Sequence, residues 1–301
     1  MKKLLLASTF ILISACSSSG DKRESSKKPE QITKADFTKE APLTKNEVRD
    51  YYIENPGALN PALEDETLDR YSMEELEKIA DEKDPLVIMA IRCAKKDFNK
   101  AFILADQIFQ KYQKIPSYWN LIANCHLMQG SQRKALLFYN KALEVTPNYV
   151  PALNNIGVLY TFQNDDQKAF LAFERANKAS AFSKTPRYNL ARLYLKYGIV
   201  DKSIPLFKGI LSSSQNDIQV LNSLASAYVI SGDYKEALNV YGRIPKKFYE
   251  QPSLGLNLAL TYFYLNQQKL ALSVFDDIQK PNDVQLREYY SIVASKIGAK
   301  K

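Results

Sequence analysis

The chain has 301 residues, 46% of them hydrophobic, so it is long enough to bury a large continuous core. Lysine and arginine outnumber aspartate and glutamate by 41 to 33, a formal net charge of +8. No cluster of basic residues with interleaved aromatics accompanies that charge, which argues against a nucleic-acid-binding protein. There is one histidine, His126, and the motifs of metal sites, catalytic nucleophiles and phosphate-binding loops are missing. The sequence therefore predicts a protein that is not an enzyme, with no cofactor, no metal and no small-molecule substrate.

Residues 1–16 have the pattern of an export signal. Lys2 and Lys3 precede an apolar run at residues 4–13, which is too short for a stable membrane-spanning helix and has the size of a signal-peptide core. The run leads into Ile-Ser-Ala-Cys at residues 13–16, which resembles the lipobox of bacterial lipoproteins. That resemblance implies that residues 1–15 are a removed signal peptide and that Cys16 is acylated, with an ordinary signal peptide and an incidental cysteine as the alternative. Because Ser17 replaces the Asp that favours inner-membrane retention in enteric lipoproteins, we expect the periplasmic face of the outer membrane, with the inner membrane and the cell surface as alternatives.

The next segment has two parts of different character. Residues 16–43 mix Ser, Lys, Glu, Asp and Pro with almost no apolar periodicity, which predicts a disordered linker after the lipidated cysteine. Such a linker spans ~30 Å on average. Residues 44–81 contain two capping-box patterns, beginning at Thr44 and at Ser72, and therefore predict two short helices that cover the N-terminal face of the domain beginning at residue 82.

From residue 82 onward the sequence repeats with a period of 34 residues. Glycine or asparagine, which readily adopts a left-handed backbone, recurs at Gly130, Asn164, Gly198, Gly232 and Asn266. Small residues recur five positions later, at Ala135, Ala169, Ser203, Ala237 and Ala271. Aromatic residues stand four positions after those, at Tyr139, Phe173, Phe207, Tyr241 and Phe275. Each period holds two amphipathic stretches of about 14 residues, which predicts helical hairpins that must stack in order to bury their apolar faces.

This pattern resembles the tetratricopeptide repeat (TPR) family. Residues 116–149 match its consensus best, at Trp119, Ile122, Ala123, His126, Gly130, Ala135, Tyr139, Ala142 and Pro147. Repeats at 150–183, 184–217, 218–251 and 252–285 continue in phase, and residues 82–115 form a divergent first repeat with Arg92 in place of the ring and Lys96 in place of the turn residue. The resemblance implies an all-α, right-handed TPR α-solenoid of about six helix-turn-helix repeats. Residues 286–301 predict a C-terminal capping helix.

The same resemblance implies a binding groove, because the first helices of TPR repeats line a concave face. The polar residues at its inward positions are Asn120, Asn124, Asn154, Asn155, Asn189, Arg192, Asn222 and Asn257. The thirteenth position of each repeat adds a mainly apolar strip of Met128, Phe162, Lys196, Ile230 and Tyr264. Since each carboxamide offers a donor and an acceptor, we expect these amides to face solvent and to clamp a segment of an envelope protein. The alternative is that they are consensus residues without a ligand.

Two cysteines lie within the repeats. Cys93 and Cys125 fall on the first helices of adjacent repeats, 32 residues apart and so two positions out of register. They could pair in an oxidising compartment, but the favoured interpretation is that both are small buried hydrophobes.

Two functions fit these features. The first is a periplasm-facing scaffold similar to NlpI-type TPR lipoproteins, which gather envelope enzymes such as peptidoglycan hydrolases or proteases. The second is an assembly factor similar to PilF/PilW-type pilotins, six-repeat lipoproteins that help a secretin or pilus component reach the outer membrane. Six repeats and a lipid anchor suit the second function, whereas the long linker and the N-terminal helices depart from its compact form. We predict a membrane-anchored scaffold, with the pilotin-like role as the alternative.

Overall fold

The computed structural model describes residues 84–180 and 182–299. These residues hold thirteen α-helices, one short 3₁₀ helix and no strand, so the predicted all-α fold is confirmed for this part of the chain. None of the described helices is both long enough and apolar enough to cross a membrane. The signal peptide at 1–15, the lipidation site Cys16, the linker at 16–43 and the helices at 44–81 lie outside the described residues and stay predictions.

The described residues form two compact units that divide between Pro186 and Arg187. The N-terminal unit holds α1 (Pro85–Ala94), α2 (Phe98–Tyr112), α3 (Pro116–Met128), α4 (Gln132–Val145), α5 (Val150–Phe162) and α6 (Asp166–Ala179). The division falls within α7 (Lys184–Lys196), after which come α8 (Val200–Leu211), α9 (Ile218–Ser231), α10 (Tyr234–Tyr241), α11 (Pro252–Tyr264), α12 (Gln268–Asp276) and α13 (Val284–Ile297). Up to α12, the odd-numbered helices are the first helices of a pair and the even-numbered helices are the second.

Each pair of helices turns through one residue with a left-handed backbone. Five of these residues are the predicted ones, namely Gly130, Asn164, Gly198, Gly232 and Asn266, with φ between +57° and +87°. The sixth is Lys96, with φ +61°, so the divergent first pair makes the same turn without the usual residue type. A single left-handed residue ends one helix and reverses the chain, which is why the two helices of each pair run antiparallel.

Small residues let the two helices of a pair approach closely. In the α3–α4 pair, Ala123, Ala135 and Tyr139 have no solvent-exposed surface. In the α5–α6 pair the approach is closer still, because a Cβ atom at Gly157 would lie 2.5 Å from Cε1 of Phe173. Glycine is therefore required at position 157 for the ring of Phe173 to fill the space between the helices.

The last helix covers the final pair in the C-terminal unit. Tyr289, Val293 and Ile297 of α13 are buried against Leu256 and Ala259 of α11, together with side chains from α12. The Tyr289 hydroxyl also donates a hydrogen bond of 2.5 Å to Asn257 Oδ1. α13 thus buries apolar surface of α11 that would otherwise meet solvent.

α10 departs from the predicted length of about 14 residues per helix. It contains eight residues, whereas α4 and α6 contain fourteen each. Gly242 follows its last residue, and Pro245 stands where a longer helix would continue. Because proline lacks the amide donor of a helix interior and clashes with the preceding turn, the chain leaves the helix there and forms a 3₁₀ helix at Lys246–Phe248.

Candidate functional site

In the N-terminal unit, most of the asparagine amides predicted to line the groove lie in the interior. Asn120 and Asn155 are 2% and 3% exposed, and Asn154 is completely buried. Asn155 Nδ2 donates to Asn120 Oδ1 at 3.2 Å and to Asn124 Oδ1 at 3.0 Å, so these amides join α3 to α5. Asn154 Nδ2 in turn donates to Asn155 Oδ1 at 3.3 Å. The expectation that these three side chains face solvent was wrong, because they sit where neighbouring first helices pack together and satisfy one another there.

The amide at position 257 behaves in the same way in the C-terminal unit. Asn257 is 8% exposed, and its Nδ2 donates to Ser226 Oγ at 2.9 Å while its Oδ1 accepts from Tyr289. The side chain therefore connects α9, α11 and α13 and does not project into a groove, which corrects the expectation for this residue also. A buried amide of this kind specifies how neighbouring helices pack, because each of its polar atoms needs its partner.

The remaining polar positions lie closer to the surface. Asn124 is partly exposed and its Oδ1 accepts from the Tyr139 hydroxyl at 2.7 Å. In the C-terminal unit Asn189, Arg192 and Asn222 are also partly exposed. The Arg192 guanidinium carbon lies 5.5 Å from the centre of the Tyr188 ring, which is a cation–π distance.

The thirteenth position of the repeat carries two exposed apolar side chains. Met128 is 38% exposed and Phe162 is 47% exposed, at the C-terminal ends of the adjacent first helices α3 and α5. Lys196, Ile230 and Tyr264 hold the same register position in the C-terminal unit and are all partly buried. Tyr264 stacks on Tyr234 with ring centres 4.5 Å apart. Of the predicted strip, Met128 and Phe162 are therefore the most exposed side chains.

The single histidine belongs to an aromatic stack. His126 lies between Phe102, with ring centres 4.4 Å apart, and Phe138, with ring centres 5.2 Å apart. Burial is the main cause that lowers the pKa of His126, and the positive charge of Lys134 adds to it. The residue therefore packs as a neutral ring, in agreement with the role of the ring position in the repeat. Among the described residues no group of His, Cys, Asp and Glu side chains could hold a metal ion.

The structure joins Cys93 of α1 to Cys125 of α3 by a disulfide, with Cα atoms 5.2 Å apart. The favoured interpretation from the sequence, two separate buried hydrophobes, was wrong on this point. The spacing of 32 residues was the available signal, since two first helices one repeat apart lie side by side and a shift of two positions can bring the cysteines to the same level.

Comparison with known proteins agrees with this architecture. Residues 116–149 match the tetratricopeptide repeat family. Anaphase-promoting complex subunit 3 of Schizosaccharomyces pombe is 25% identical over 143 residues, which are 48% of this chain and 22% of that protein. The uncharacterized protein ycf37 of Pyropia yezoensis is 30% identical over 101 residues, which are 31% of this chain and 57% of that protein. The chain spans between 22% and 35% of the length of the first three curated relatives that it matches.

Solved structures share the fold. The structure of pilF from Pseudomonas aeruginosa has a TM-score of 0.60 at 14% identity, covering 73% of this chain and 99% of that one. PilW, described as a type IV pilus biogenesis factor, has a TM-score of 0.56 at 16% identity, covering 68% of this chain and 96% of that one. YrrB, described as a TPR protein with an unusual peptide-binding site, has a TM-score of 0.52 at 20% identity, covering 62% of this chain and 97% of that one.

Proposed function

We propose that the chain, a tetratricopeptide repeat protein, is a non-enzymatic scaffold of the bacterial envelope that binds partner proteins through its first helices. The observation that carries this proposal is the pair of exposed apolar side chains, Met128 and Phe162, at one register position of adjacent first helices. Large apolar groups that recur on one surface of a soluble domain commonly mark a protein interaction site. Asn124, partly exposed on the same side of α3, supplies a polar group at the edge of this surface.

The partner is therefore expected to contact the exposed side chains at the thirteenth repeat position and not the buried asparagine amides. Asn120, Asn154 and Asn155 already bond one another, so a ligand would have to break internal hydrogen bonds to reach them. Met128 and Phe162 need no such rearrangement, since burying their exposed surface against a partner removes apolar area from water directly. We call Asn124, Met128 and Phe162 the first-helix surface.

Anchoring in the envelope is the second part of the proposal. The lipobox-like sequence that ends at Cys16 supports export and lipidation. The Cys93–Cys125 disulfide supports export independently, because disulfides persist in the periplasm and are rare in the reducing cytosol of mesophiles. We infer a lipid anchor in the outer membrane, with the repeats on the periplasmic side.

The test compares three single variants in a crosslinked pull-down from membranes of the native host. Met128→Asp and Phe162→Asp each place a charge on the first-helix surface, and each should reduce the captured partner at least about tenfold, as loss of a central apolar contact does. Leu137→Asp is the matched control, since Leu137 is 55% exposed on the second helix α4. If all three variants capture the same proteins as the parent, or if all three lose them equally, the first-helix surface is not the binding site.

A pilotin-like assembly role is the second candidate. It is favoured by six repeats behind a lipobox-like sequence and by the fold shared with PilW, itself described as a type IV pilus biogenesis factor. The same pull-down separates the two candidate functions by the identity of the captured proteins. A secretin or pilus component lost from the Phe162→Asp sample would establish the assembly role, whereas a wall hydrolase or protease would establish the adaptor.

A further inference from the structure

A slot opens between the second helices α8 and α10 of the C-terminal unit, with α9 as its floor. Its volume is about 420 Å³, within the range of pockets that hold small ligands or single side chains. We call it the second-helix slot, and its lining residues are Lys208, Leu211, Ser212, Gln215, Leu224, Tyr228, Glu236, Val240 and Arg243. None of them belongs to the first-helix surface.

The slot exists because α10 is short. The chain leaves α10 at Gly242, so no further helical turn covers the end of α8. The side chains left at the bottom are apolar and buried, with Leu211, Leu224 and Val240 between 2% and 7% exposed. The side chains at the rim, Lys208 and Arg243 among them, are exposed. The slot therefore combines a buried apolar floor with a charged rim, as protein interfaces combine an apolar core with a polar rim.

The two cations of the rim stand in different surroundings. The Lys208 ammonium lies 5.6 Å from the centre of the Tyr228 ring, and its hydrogen bond to Tyr228 raises its pKa, with a smaller contribution from the charge of Glu236. Arg243 instead uses Nη2 to donate to the Gln215 carbonyl at 2.5 Å. That bond fixes the guanidinium at the end of the slot, and a guanidinium carries five N–H donors in total.

Glu236 and Arg243 occupy different places at the rim of the slot. Glu236 lies in the first turn of α10, whereas Arg243 lies beyond the helix, in the turn that follows Gly242. Glu236 acts electrostatically on Lys208 and offsets part of that charge, so a carboxylate in the slot is attracted mainly to Arg243. Val240, in the last turn of α10, belongs to the apolar floor of the slot.

We propose that the second-helix slot binds a partner segment that presents an apolar side chain next to a carboxylate. The apolar group rests on Leu211, Leu224 and Val240, and the carboxylate accepts hydrogen bonds from the Arg243 guanidinium. The carboxylate comes either from the end of a chain or from an aspartate side chain, and both offer the same recognition chemistry. This inference rests on the proposed scaffold function only in taking the ligand to be a protein segment.

The experiment uses the purified full chain without its signal, with its leucine and valine methyl groups labelled for NMR. N-acetyl-leucine represents a chain end, N-acetyl-leucyl-aspartyl-amide represents an acidic side chain, and N-acetyl-leucinamide is the neutral control. Methyl signals of Leu211, Leu224 and Val240 should shift on titration, while those of Leu254 and Leu258, buried elsewhere in the unit, should not. At least one carboxylate probe should bind about five- to tenfold tighter than the neutral control, as a charge-assisted hydrogen bond at an exposed rim allows.

Two rim variants test the role of charge in binding. Arg243→Gln removes the cation that binds the carboxylate and should abolish the advantage of the carboxylate probes, whereas Glu236→Gln removes a negative charge from the rim and should increase that advantage. Circular dichroism confirms that both variants stay helical. Equal binding of charged and neutral probes, shifts outside the slot, or no shift at millimolar probe would each overturn the proposal. Because these probes do not involve the first-helix surface, failure here leaves the pull-down result independent, and the reverse also holds.

Discussion

Replacing Asn155 by alanine should destabilise the N-terminal unit strongly, although amides at this repeat position are expected from the sequence to face solvent. Asn155 donates to Asn120 Oδ1 at 3.2 Å and to Asn124 Oδ1 at 3.0 Å. Asn124 keeps the Tyr139 hydroxyl as a donor, whereas the buried Asn120 oxygen loses the donor that Asn155 supplies. An unsatisfied buried acceptor costs about 1–3 kcal/mol and a lost hydrogen bond about 1 kcal/mol, so we expect a loss of ~2–4 kcal/mol.

The measurement is urea unfolding followed by tryptophan fluorescence. The chain has one tryptophan, Trp119, on α3 of the same unit, so its signal reports the unit that carries the substitution. With a urea dependence of about 1–3 kcal/mol per molar, the midpoint should fall by on the order of 1–2 M. Asn99→Ala, an exposed asparagine on α2, is the matched control and should change stability by less than about 0.5 kcal/mol. A midpoint for Asn155→Ala that coincides with that of the parent would refute the role assigned to the buried amides.

Three further perturbations test the disulfide, the histidine and the anchor. Reducing the disulfide, or replacing both Cys93 and Cys125 by serine, should lower the free energy of unfolding of the N-terminal unit by ~3–4 kcal/mol in the same assay, because the bond closes a loop between residues 32 apart. Adding reductant to the double variant should change nothing further. Burial and the charge of Lys134 lower the pKa of His126 in the folded protein, so the unfolded chain binds the proton more tightly. The free energy of unfolding of this unit should therefore decrease as the pH falls below about 6.5. His126→Phe should remove that part of the pH dependence between pH 7.5 and 5. Cys16→Ala should leave an uncleaved or soluble protein, and normal maturation and membrane fractionation of that variant would contradict the lipid anchor.

The 34-residue period was sufficient to place the helix pairs and their turns. The left-handed residues lie at the predicted positions, because Gly and Asn signal that conformation through their own backbone preference. Lys96 adopts it as well, which shows that the packing of a pair can impose the turn on a residue that does not favour it. In five pairs the residue type and the packing of the helices both favour the left-handed turn. In the first pair only the packing favours it.

The role of the amides could not be obtained from the register alone. Position in a repeat tells which helix face a residue occupies, but the side chains of the next helix decide whether that face is open. Asn155 meets Asn120 and Asn124 across α3 and α5, a contact between residues 31 and 35 apart in sequence. The disulfide was not predicted for the same reason, because it depends on how two first helices pack against each other. The short α10 was not predicted either, although Gly242 and Pro245 are local signals in the sequence that indicate an early helix end.

The Cys93–Cys125 disulfide also has a mechanical consequence. A repeat array that is held by one end and pulled by a partner at the other unravels from its terminal helices, because each pair is held by its neighbour alone. The chain enters the described residues at Asp84, immediately before α1, so this is where tension from the proposed membrane anchor arrives. Tension arriving there passes through α1 as far as Cys93 and then crosses the covalent bond to Cys125 in α3. The intervening chain, with all of α2, lies in a closed loop outside this load path. A pull at Asp84 can therefore extend α1 only as far as Cys93 and cannot extend α2 until the disulfide is reduced.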